Sequence, residues 1–359
     1  MTKCSLGGCI FGKAFPLRIL VSALRVLLEQ AHDVELMIRA NLFLLFLALA
    51  FAVSAQDKPE ETLGAVVGVS AKIQANARSA ASLGAQRSGT GVLVREGYVL
   101  TIGYLVIEAE AIQVTGADGR TVPATLAGYD HSSGFALLKV IGALSAKPLP
   151  LGDSAALAER EPAMVVTAAA RDSPSLVYVV SRRPFSGNWE YLLDSAIFTY
   201  PPVMDWSGAP LIGAGGDLLG IGSLIVPDAG GEGTQSPGNM FVPVDLLKPI
   251  LEDLIAKGRR NAPARPWLGV NADELRGRLF IGRVSPDGPA ERAGLKSGDI
   301  VLAVGSEEVK TLADFYKRIW ERGAAGAEVP LKVLQGVQVR DVTVRSIDRI
   351  EYFRPSATY

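Results

Sequence analysis

The chain has 359 residues, of which 48% are hydrophobic, and its formal net charge at pH 7 is −1. This length is ample for about two domains with apolar cores. Residues 1–55 carry five of the 36 Lys and Arg and three of the 37 Asp and Glu, so the rest of the chain has a net charge near −3. The sequence has no long basic tract, and a nucleic-acid partner is therefore not expected.

The N-terminal region contains a predicted secretory signal. After Arg39 comes a run of about fourteen apolar residues that ends in small residues at Ala55, a pattern typical of a cleaved signal peptide. Residues 37–55 are predicted to be that signal, and residues 1–36 are interpreted as an upstream extension or an unusually long leader. An uncleaved anchor is the alternative, but a membrane span needs about 20 apolar residues, and no stable span is expected.

The chain that follows the predicted signal is poor in metal-binding and nucleophilic side chains. Both cysteines, Cys4 and Cys9, precede the signal, so no disulfide, thiol chemistry or cysteine-built metal site is expected. His131 is the single histidine after residue 55. No cofactor and no metal site are predicted.

Residues 64–226 show short apolar stretches separated by Gly, Asp, Asn and Pro. Residues 64–73 are the first predicted strand, and residues 76–86 are predicted to be a loop of small residues. Many short strands with few helices are typical of an all-β barrel or sandwich. The further predicted strands are residues 89–94, 98–102, 111–116, 121–129, 135–140, 163–169, 176–180, 196–200, 209–214 and 218–226.

A helix over residues 244–258 is predicted to close this region. Asp245 is its expected N-cap, Pro249 lies near its first turn and Gly258 is expected to stop it. Apolar residues recur at helical spacing, so one face is expected to pack on the barrel. The charged, Pro-containing residues 259–265 are interpreted as a linker.

Residues 266–349 are predicted to form an α+β domain, followed by a tail at residues 350–359. An amphipathic helix is expected over residues 311–323, with Thr311 and Asp314 as a capping box. The other predicted elements are a short helix within residues 286–295, a strand at residues 299–305 and a hairpin that turns at Gln335 and Gly336.

Four motifs follow one another in a characteristic order. SGTGVLVREGYVLT (88–101) and WSGAPLIGAGGDLLGIGSLIV (206–226) lie in the β-rich region. PWLGV (266–270) and SPDGPAERAGLKSGDIVLAVGSEEV (285–309) lie in the C-terminal region. In this order and spacing they resemble the HtrA family, which are secreted trypsin-like serine proteases with a C-terminal PDZ domain.

The resemblance covers residues 62–349. It implies a mainly β fold, with a trypsin-like double six-stranded β-barrel over residues 56–258 and an α+β PDZ domain over residues 266–349. It also implies a periplasmic location after secretion across the inner membrane.

The resemblance further implies that one of three catalytic residues is retained. Ser207, in DWSGAPL, keeps the position of the nucleophile. Tyr104, in TIGYLV, replaces the histidine, and Gly134, in SSGFALLKV, replaces the aspartate. Asp205 occupies the position of an oxyanion-hole donor, where a carboxylate would repel the developing negative charge.

These replacements predict an inactive protease domain. In a triad, histidine accepts the serine proton and aspartate orients the imidazole. A phenol is only about a thousandth ionised at pH 7, so Tyr104 is a poor base. His131 is interpreted as a loop residue rather than a relocated base, and Lys139 lies about 16 Å from Gly134 along a strand. Trp206 either fills the old cleft or remains a contact in a substrate groove.

The PDZ motif implies a loop whose consecutive backbone N–H groups bind a C-terminal carboxylate, while the next strand edge pairs with the peptide. Apolar residues of the predicted helix either line the peptide pocket or are simply core. The short segment before Leu279 leaves a shallow groove open as an alternative. The predicted peptide-binding residues are Trp267, Leu268, Gly269, Val270, Leu312, Phe315 and Ile319.

The sequence therefore predicts a secreted protein whose protease domain does not cut and whose PDZ domain binds protein C-termini or exposed peptides. Envelope protein quality control or regulation is the expected role, as a homo-oligomer or in a mixed oligomer with an active relative. One alternative is a serine endopeptidase with an unorthodox base. The other is a structural chaperone with a closed PDZ groove.

Overall fold

The computed structural model of the chain describes residues 61–353. The predicted extension, the predicted signal peptide and residues 354–359 of the predicted tail lie outside the described residues. No helix within the described part of the chain is long and apolar enough to cross a membrane. The architecture is mainly β, as the sequence predicts.

The first domain begins with a closed barrel of six antiparallel strands, whose order is β1-β2-β3-β6-β5-β4. Buried and exposed side chains alternate along much of β1 and β5, so apolar residues fill the interior. A short helix α1 (Ala80–Leu83) lies where the sequence predicted only a loop. The strands are β1 (Val66–Ile73), β2 (Gln86–Arg95), β3 (Tyr98–Ile102), β4 (Ala109–Thr115), β5 (Thr121–Asp130) and β6 (Phe135–Val140).

The same domain continues with a second closed six-stranded barrel, in the order β10-β11-β12-β9-β8-β7. One buried apolar cluster contains side chains from both barrels, for example Phe135 and Phe198. The pair of closed barrels confirms the predicted double-barrel fold. The strands are β7 (Pro162–Val165), β8 (Ser175–Gly187), β9 (Tyr191–Tyr200), β10 (Pro210–Ile212), β11 (Leu218–Val226) and β12 (Gly238–Pro243).

Several strands of the second barrel differ from the sequence prediction, and β9 begins at Tyr191, five residues before its predicted start at residue 196. Strand β12 was not among the predicted strands, although it pairs with both β11 and β9. Strand β8 continues to Gly187, beyond the predicted end at residue 180. The extension makes β8 and β9 a long hairpin whose tip is residues 188–190.

The closing helix is shorter than predicted. Residues Val244–Leu246 form a 3-10 turn, and α2 (Leu251–Lys257) begins two residues after Pro249. Asp245 is therefore not the N-cap of α2. Its carboxylate instead accepts hydrogen bonds from the hydroxyl of Ser154 and from the backbone N–H of Ala155. Gly258, at a φ of 72°, ends the helix as predicted.

The C-terminal domain has one sheet in the order β13-β14-β15-β17-β18, with β16 paired to β15. Thr311 is the N-cap of helix α4 (Leu312–Trp320), and its hydroxyl accepts a hydrogen bond from the N–H of Asp314 at 3.1 Å. The remaining elements are β13 (Val270–Leu275), β14 (Arg278–Val284), α3 (Pro289–Arg292), β15 (Ile300–Val304), β16 (Glu307–Glu308), β17 (Glu328–Gln335), β18 (Gln338–Arg345) and α5 (Arg349–Tyr352).

The predicted linker residues 259–265 contact both flanking domains. The Nε and Nη2 atoms of Arg260 donate to the Asp130 carboxylate of the first barrel at 2.6 and 2.7 Å. The guanidinium of Arg265 lies 4.1 Å from the ring centroid of Trp320 in the C-terminal domain. Burial raises the pKa of Asp130, but the hydrogen bonds from Arg260 and Ser133 outweigh burial and hold that pKa below its ordinary value.

Replacing Arg260 by alanine is expected to destabilise the fold by about 3–5 kcal/mol, because it leaves a buried carboxylate without its cation. The Asp130 side chain is only 3% exposed. Arg95→Ala is the matched control, since Arg95 pairs with Glu252 at the surface and such pairs contribute about 0–1 kcal/mol. Urea denaturation measures both variants, and equal losses would contradict the structural role of the buried pair.

Candidate functional site

Ser207 lies in a tight turn that is fixed against the first barrel. Its carbonyl oxygen accepts the N–H of Thr90 at 2.8 Å. The next residue, Gly208, has a φ of +73°, and a Cβ atom there would lie 2.0 Å from the Thr90 carbonyl oxygen. Only glycine fits this position, so the backbone around the serine keeps the sharp turn that the motif predicts.

Tyr104 contacts the serine directly. It lies in the 3-10 turn Gly103–Leu105 after β3, and its phenol oxygen is 2.9 Å from Ser207 Oγ and 2.8 Å from the carbonyl oxygen of Ser223. A carbonyl can only accept, so the single phenol proton goes to Ser223, and the Ser207 hydroxyl donates to the phenol oxygen. The serine proton therefore points at the neutral phenol.

The Ser223 carbonyl is available because strand β11 is irregular there. The register between β11 and β12 shifts between Gly222 and Leu224, which leaves Ser223 out of the regular ladder. The indole Nε1 of Trp206 donates to the same oxygen at 3.2 Å. The two aromatic side chains at this site are thus held by one backbone acceptor.

The environment of Tyr104 makes it a weaker base than an exposed tyrosine. Burial raises the pKa of Tyr104 to about 12, although its hydrogen bonds with Ser207 and Trp206 act in the opposite direction. On the order of one phenol in 10⁵ is then ionised at pH 7. The side chain that accepts the hydrogen bond of the serine is therefore almost entirely protonated at pH 7.

Gly134 offers no group that could orient a base. Its φ is +80°, and its N–H donates to the Asp130 carbonyl at 2.8 Å. A Cβ atom at this position would lie 3.6 Å from the phenol oxygen of Tyr191, which itself donates to the Ser133 carbonyl at 2.7 Å. Tyr191 is therefore a close neighbour of Gly134, the position at which the resemblance to the family predicts a carboxylate.

The two alternative bases are placed elsewhere. The ring of His131 packs against Tyr129 at a centroid distance of 4.4 Å and stacks on Phe353. Burial, with the nearby charge of Arg349, lowers the pKa of His131 to about 3, so its imidazole is neutral at pH 7. Lys139 is exposed on β6. Within residues 61–353, the hydrogen bond of the Ser207 hydroxyl is to Tyr104 and to neither of these side chains.

An open cavity of about 490 Å³ adjoins the serine. Trp206 lies in its wall, while the neighbouring Asp205 is exposed. The cavity continues to Val270 of the C-terminal domain. Its lining contains Arg78, Arg283 and Arg349 and no Asp or Glu among the described residues.

The predicted carboxylate-binding loop holds a carboxylate from within the chain. The backbone N–H groups of Leu268, Gly269 and Val270 lie 2.9, 2.7 and 3.0 Å from carboxylate oxygens of Glu190. Glu190 is at the tip of the β8–β9 hairpin, has a φ of +60° and is 6% exposed. Sequence reasoning missed this residue, because a glutamate in a turn between two strands carries no signal of burial.

The other predicted peptide-binding residues lie around the same hairpin. Leu312, Phe315 and Ile319 are buried in one apolar cluster that also contains Leu192 of β9. Trp267 packs against the ring of Tyr352 at a centroid distance of 4.7 Å. The helix residues are thus part of the domain core and share that core with a side chain from the barrel.

Comparison with known proteins identifies the two domain types. Residues 89–221 match the trypsin-like peptidase domain, and residues 266–345 match the PDZ domain. A probable periplasmic serine endoprotease DegP-like protein of Halomonas elongata is 31% identical over 285 residues, which are 71% of this chain and 55% of that protein. The chain belongs to the HtrA family.

Other relatives agree with this assignment. Protease Do-like 1, chloroplastic, of Arabidopsis thaliana is 28% identical over 291 residues, covering 72% of this HtrA-type chain and 63% of the relative. The chain therefore spans little more than half the length of the curated relatives it matches.

Solved structures show the same fold. A serine endoprotease from Yersinia pestis has a TM-score of 0.50 at 24% identity and covers 82% of this chain and 97% of its own. The HtrA-type protease AlgW with decapeptide has a TM-score of 0.51 at 22% identity, covering 83% of this chain and 98% of its own.

Tyr104→Phe is expected to destabilise this HtrA-type chain by about 0.5–1.5 kcal/mol, because the Ser207 hydroxyl loses its hydrogen-bond partner while the Ser223 carbonyl keeps the N–H of Trp206. Tyr178→Phe is the matched control, since Tyr178 is 46% exposed. Denaturant unfolding measures both variants. A loss for Tyr104→Phe no greater than that of the control would contradict the hydrogen-bond assignment.

The free energy of unfolding is expected to fall as pH rises from about 4.5 to about 7. Burial raises the pKa of Glu190 from 4.5 to about 7 against the opposing backbone hydrogen bonds, so the folded state binds more protons than the unfolded state in this window. The difference between wild type and Glu190→Gln should change by about 3 kcal/mol across it. Parallel pH profiles of the two proteins would contradict the assignment.

Proposed function

We propose that this chain is a non-catalytic member of the HtrA family that uses the protease fold as a scaffold for binding. The observation that carries the proposal is the hydrogen bond between Ser207 and the neutral phenol of Tyr104. Peptide-bond cleavage by a serine needs a base to take the hydroxyl proton and later return it to the leaving group. The phenol is already committed as a donor to Ser223 and is almost entirely protonated at pH 7.

The base and the group that orients it belong to one catalytic unit, so replacement of either residue affects the same proton transfer. Removal of triad members in a serine protease lowers kcat by about 10⁶-fold. Gly134 supplies no carboxylate, and the neutral His131 is packed between aromatic rings. Asp205 takes the predicted oxyanion-hole position in the sequence, although its side chain is exposed and does not line the cavity beside Ser207. A serine endopeptidase with an unorthodox base is therefore the weaker reading.

The binding function is assigned to the PDZ domain, with protein C-termini or exposed peptides as ligands. The loop of Leu268, Gly269 and Val270 has the geometry for this, since its three N–H groups converge on a carboxylate. We assign the protein to the periplasm, where it acts in envelope protein quality control or regulation. It does so as a homo-oligomer or in a mixed oligomer with an active relative. The predicted signal peptide and the periplasmic name of the Halomonas elongata relative support this location.

A second candidate is a structural chaperone whose PDZ groove stays closed. The burial of the Glu190 carboxylate against the loop favours this alternative specifically. The two candidates share the absence of catalysis and differ in whether a free peptide can replace Glu190.

A fluorophosphonate probe is expected to leave Ser207 unlabelled, because the hydroxyl is not activated. Mass spectrometry of the probed protein measures the modification, and casein cleavage measures turnover. An active HtrA-family protease serves as the positive control. Ser223→Ala is the matched variant to Ser207→Ala, since Ser223 lines the same cavity. Labelling or cleavage that disappears in Ser207→Ala and persists in Ser223→Ala would establish an active enzyme.

A further inference from the structure

The β8–β9 hairpin makes several contacts that a bound peptide would make in a PDZ groove. The carboxylate of Glu190 accepts the three loop N–H groups. The carbonyl oxygen of Asn188 accepts the N–H of Ala272 on β13 at 3.0 Å, which is a bond of the kind an added strand forms. Leu192 adds an apolar side chain to the buried cluster of the domain.

A contact from helix α4 fixes the tip of the hairpin on the opposite side. The hydroxyl of Tyr316 donates to the carbonyl oxygen of Gly187 at 2.7 Å, and Tyr316 is fully buried. The hairpin therefore contacts both β13 and α4, the strand and helix between which a PDZ ligand lies. These contacts use backbone carbonyls and one carboxylate, as a peptide terminus would.

The loop cannot hold Glu190 and a second carboxylate at the same time. The N–H groups of Leu268, Gly269 and Val270 are single donors, and all of them are directed at Glu190. Within the described residues Glu190 has these backbone partners and no Lys or Arg at ion-pair distance. An incoming carboxylate must displace Glu190 to gain the same bonds.

Displacement is made easier by features of Glu190 itself. Its φ of +60° lies in the left-handed region, which is unfavourable for a residue with a side chain. Burial opposes ionisation and raises the pKa of this carboxyl to about 7. The internal contact is therefore weaker than its three hydrogen bonds alone would make it.

We propose that the β8–β9 hairpin is an internal ligand of the PDZ domain, and that Glu190 closes the carboxylate-binding loop until a C-terminal peptide displaces it. This inference rests on the proposed peptide-binding function and adds its regulation. The protein in its resting state then binds C-termini weakly. The apparent dissociation constant is the intrinsic one divided by the fraction of molecules with an open groove.

The hairpin also connects the groove to the cavity beside Ser207. Trp189 and Tyr191 flank Glu190, stack at a centroid distance of 5.6 Å and line that cavity. Release of the hairpin would move both rings, so a peptide in the PDZ groove would change the shape of the old active-site cleft.

The test compares full-length wild type with Glu190→Ala and Glu190→Gln. A fluorescent peptide with a free C-terminus and an apolar last residue is titrated by anisotropy, and its C-terminal amide is the ligand control. Glu190→Ala is expected to bind the free-acid peptide at least about tenfold more tightly than wild type. Amide exchange at Leu268, Gly269 and Val270 is expected to accelerate in the same variant, because their acceptor is gone.

Asp194→Ala is the matched control, since Asp194 is an exposed carboxylate on the same hairpin. It should leave both readouts unchanged. If Glu190→Ala fails to fold, Glu190→Gln supplies the comparison, because it keeps the size of the side chain and removes the charge.

The outcomes separate the two proposals. Equal peptide affinity and equal amide exchange in wild type and both Glu190 variants would overturn the internal ligand and leave peptide binding standing. Accelerated exchange without peptide binding in any variant would support the closure by Glu190 and refute capture of C-termini. Tight binding of the amidated peptide would also overturn the inference, since it would show that the loop is not the site of competition.

Discussion

The fit of one buried carboxylate against three backbone N–H groups determines how this molecule is assembled. Glu190 belongs to the second barrel, and its partners belong to the loop that opens the PDZ domain. Buried backbone donors without acceptors are costly, so the loop needs an acceptor for as long as it stays buried. The hairpin supplies that acceptor from within the chain, and one of the contacts between the two domains is therefore a group that a ligand can imitate.

Hydrogen-bond partners also determine the arrangement around Ser207. In an active triad the serine hydroxyl has a basic acceptor, whereas here Tyr104 accepts its hydrogen bond and passes its own proton to Ser223. Ser207, Tyr104 and Ser223 are thus connected by consecutive hydrogen bonds. Trp206 donates to the same carbonyl, so the aromatic wall of the cavity is fixed by the irregularity in β11. The hydrogen bonds that engage the Ser207 hydroxyl also fix the local structure.

The sequence predicts well those features that follow from local patterns. Alternation and turn residues gave most strands, Gly258 stopped α2, and the order of motifs located Tyr104, Gly134 and Ser207. Features that depend on contacts distant along the chain were missed. Glu190 lies 78 residues from Leu268, and nothing in its neighbours indicates that its carboxylate is buried. Asp245 looked like an N-cap but bonds to Ser154, 91 residues away, and α2 begins beyond Pro249.

The β8–β9 hairpin connects the site around Ser207 with the contact of Glu190 on the PDZ loop, and a purely structural protein does not require such a connection. Apolar side chains alone, such as that of Leu192, would fill the groove but leave the three loop N–H groups without an acceptor. Glu190 supplies that acceptor, although burial of its carboxylate and its positive φ both oppose folding. Such a contact makes physical sense where it has to be reversible. On the proposed function, the contact of Tyr104 with Ser207 and the contact of Glu190 with the PDZ loop together describe a protein that recognises peptides without cutting them.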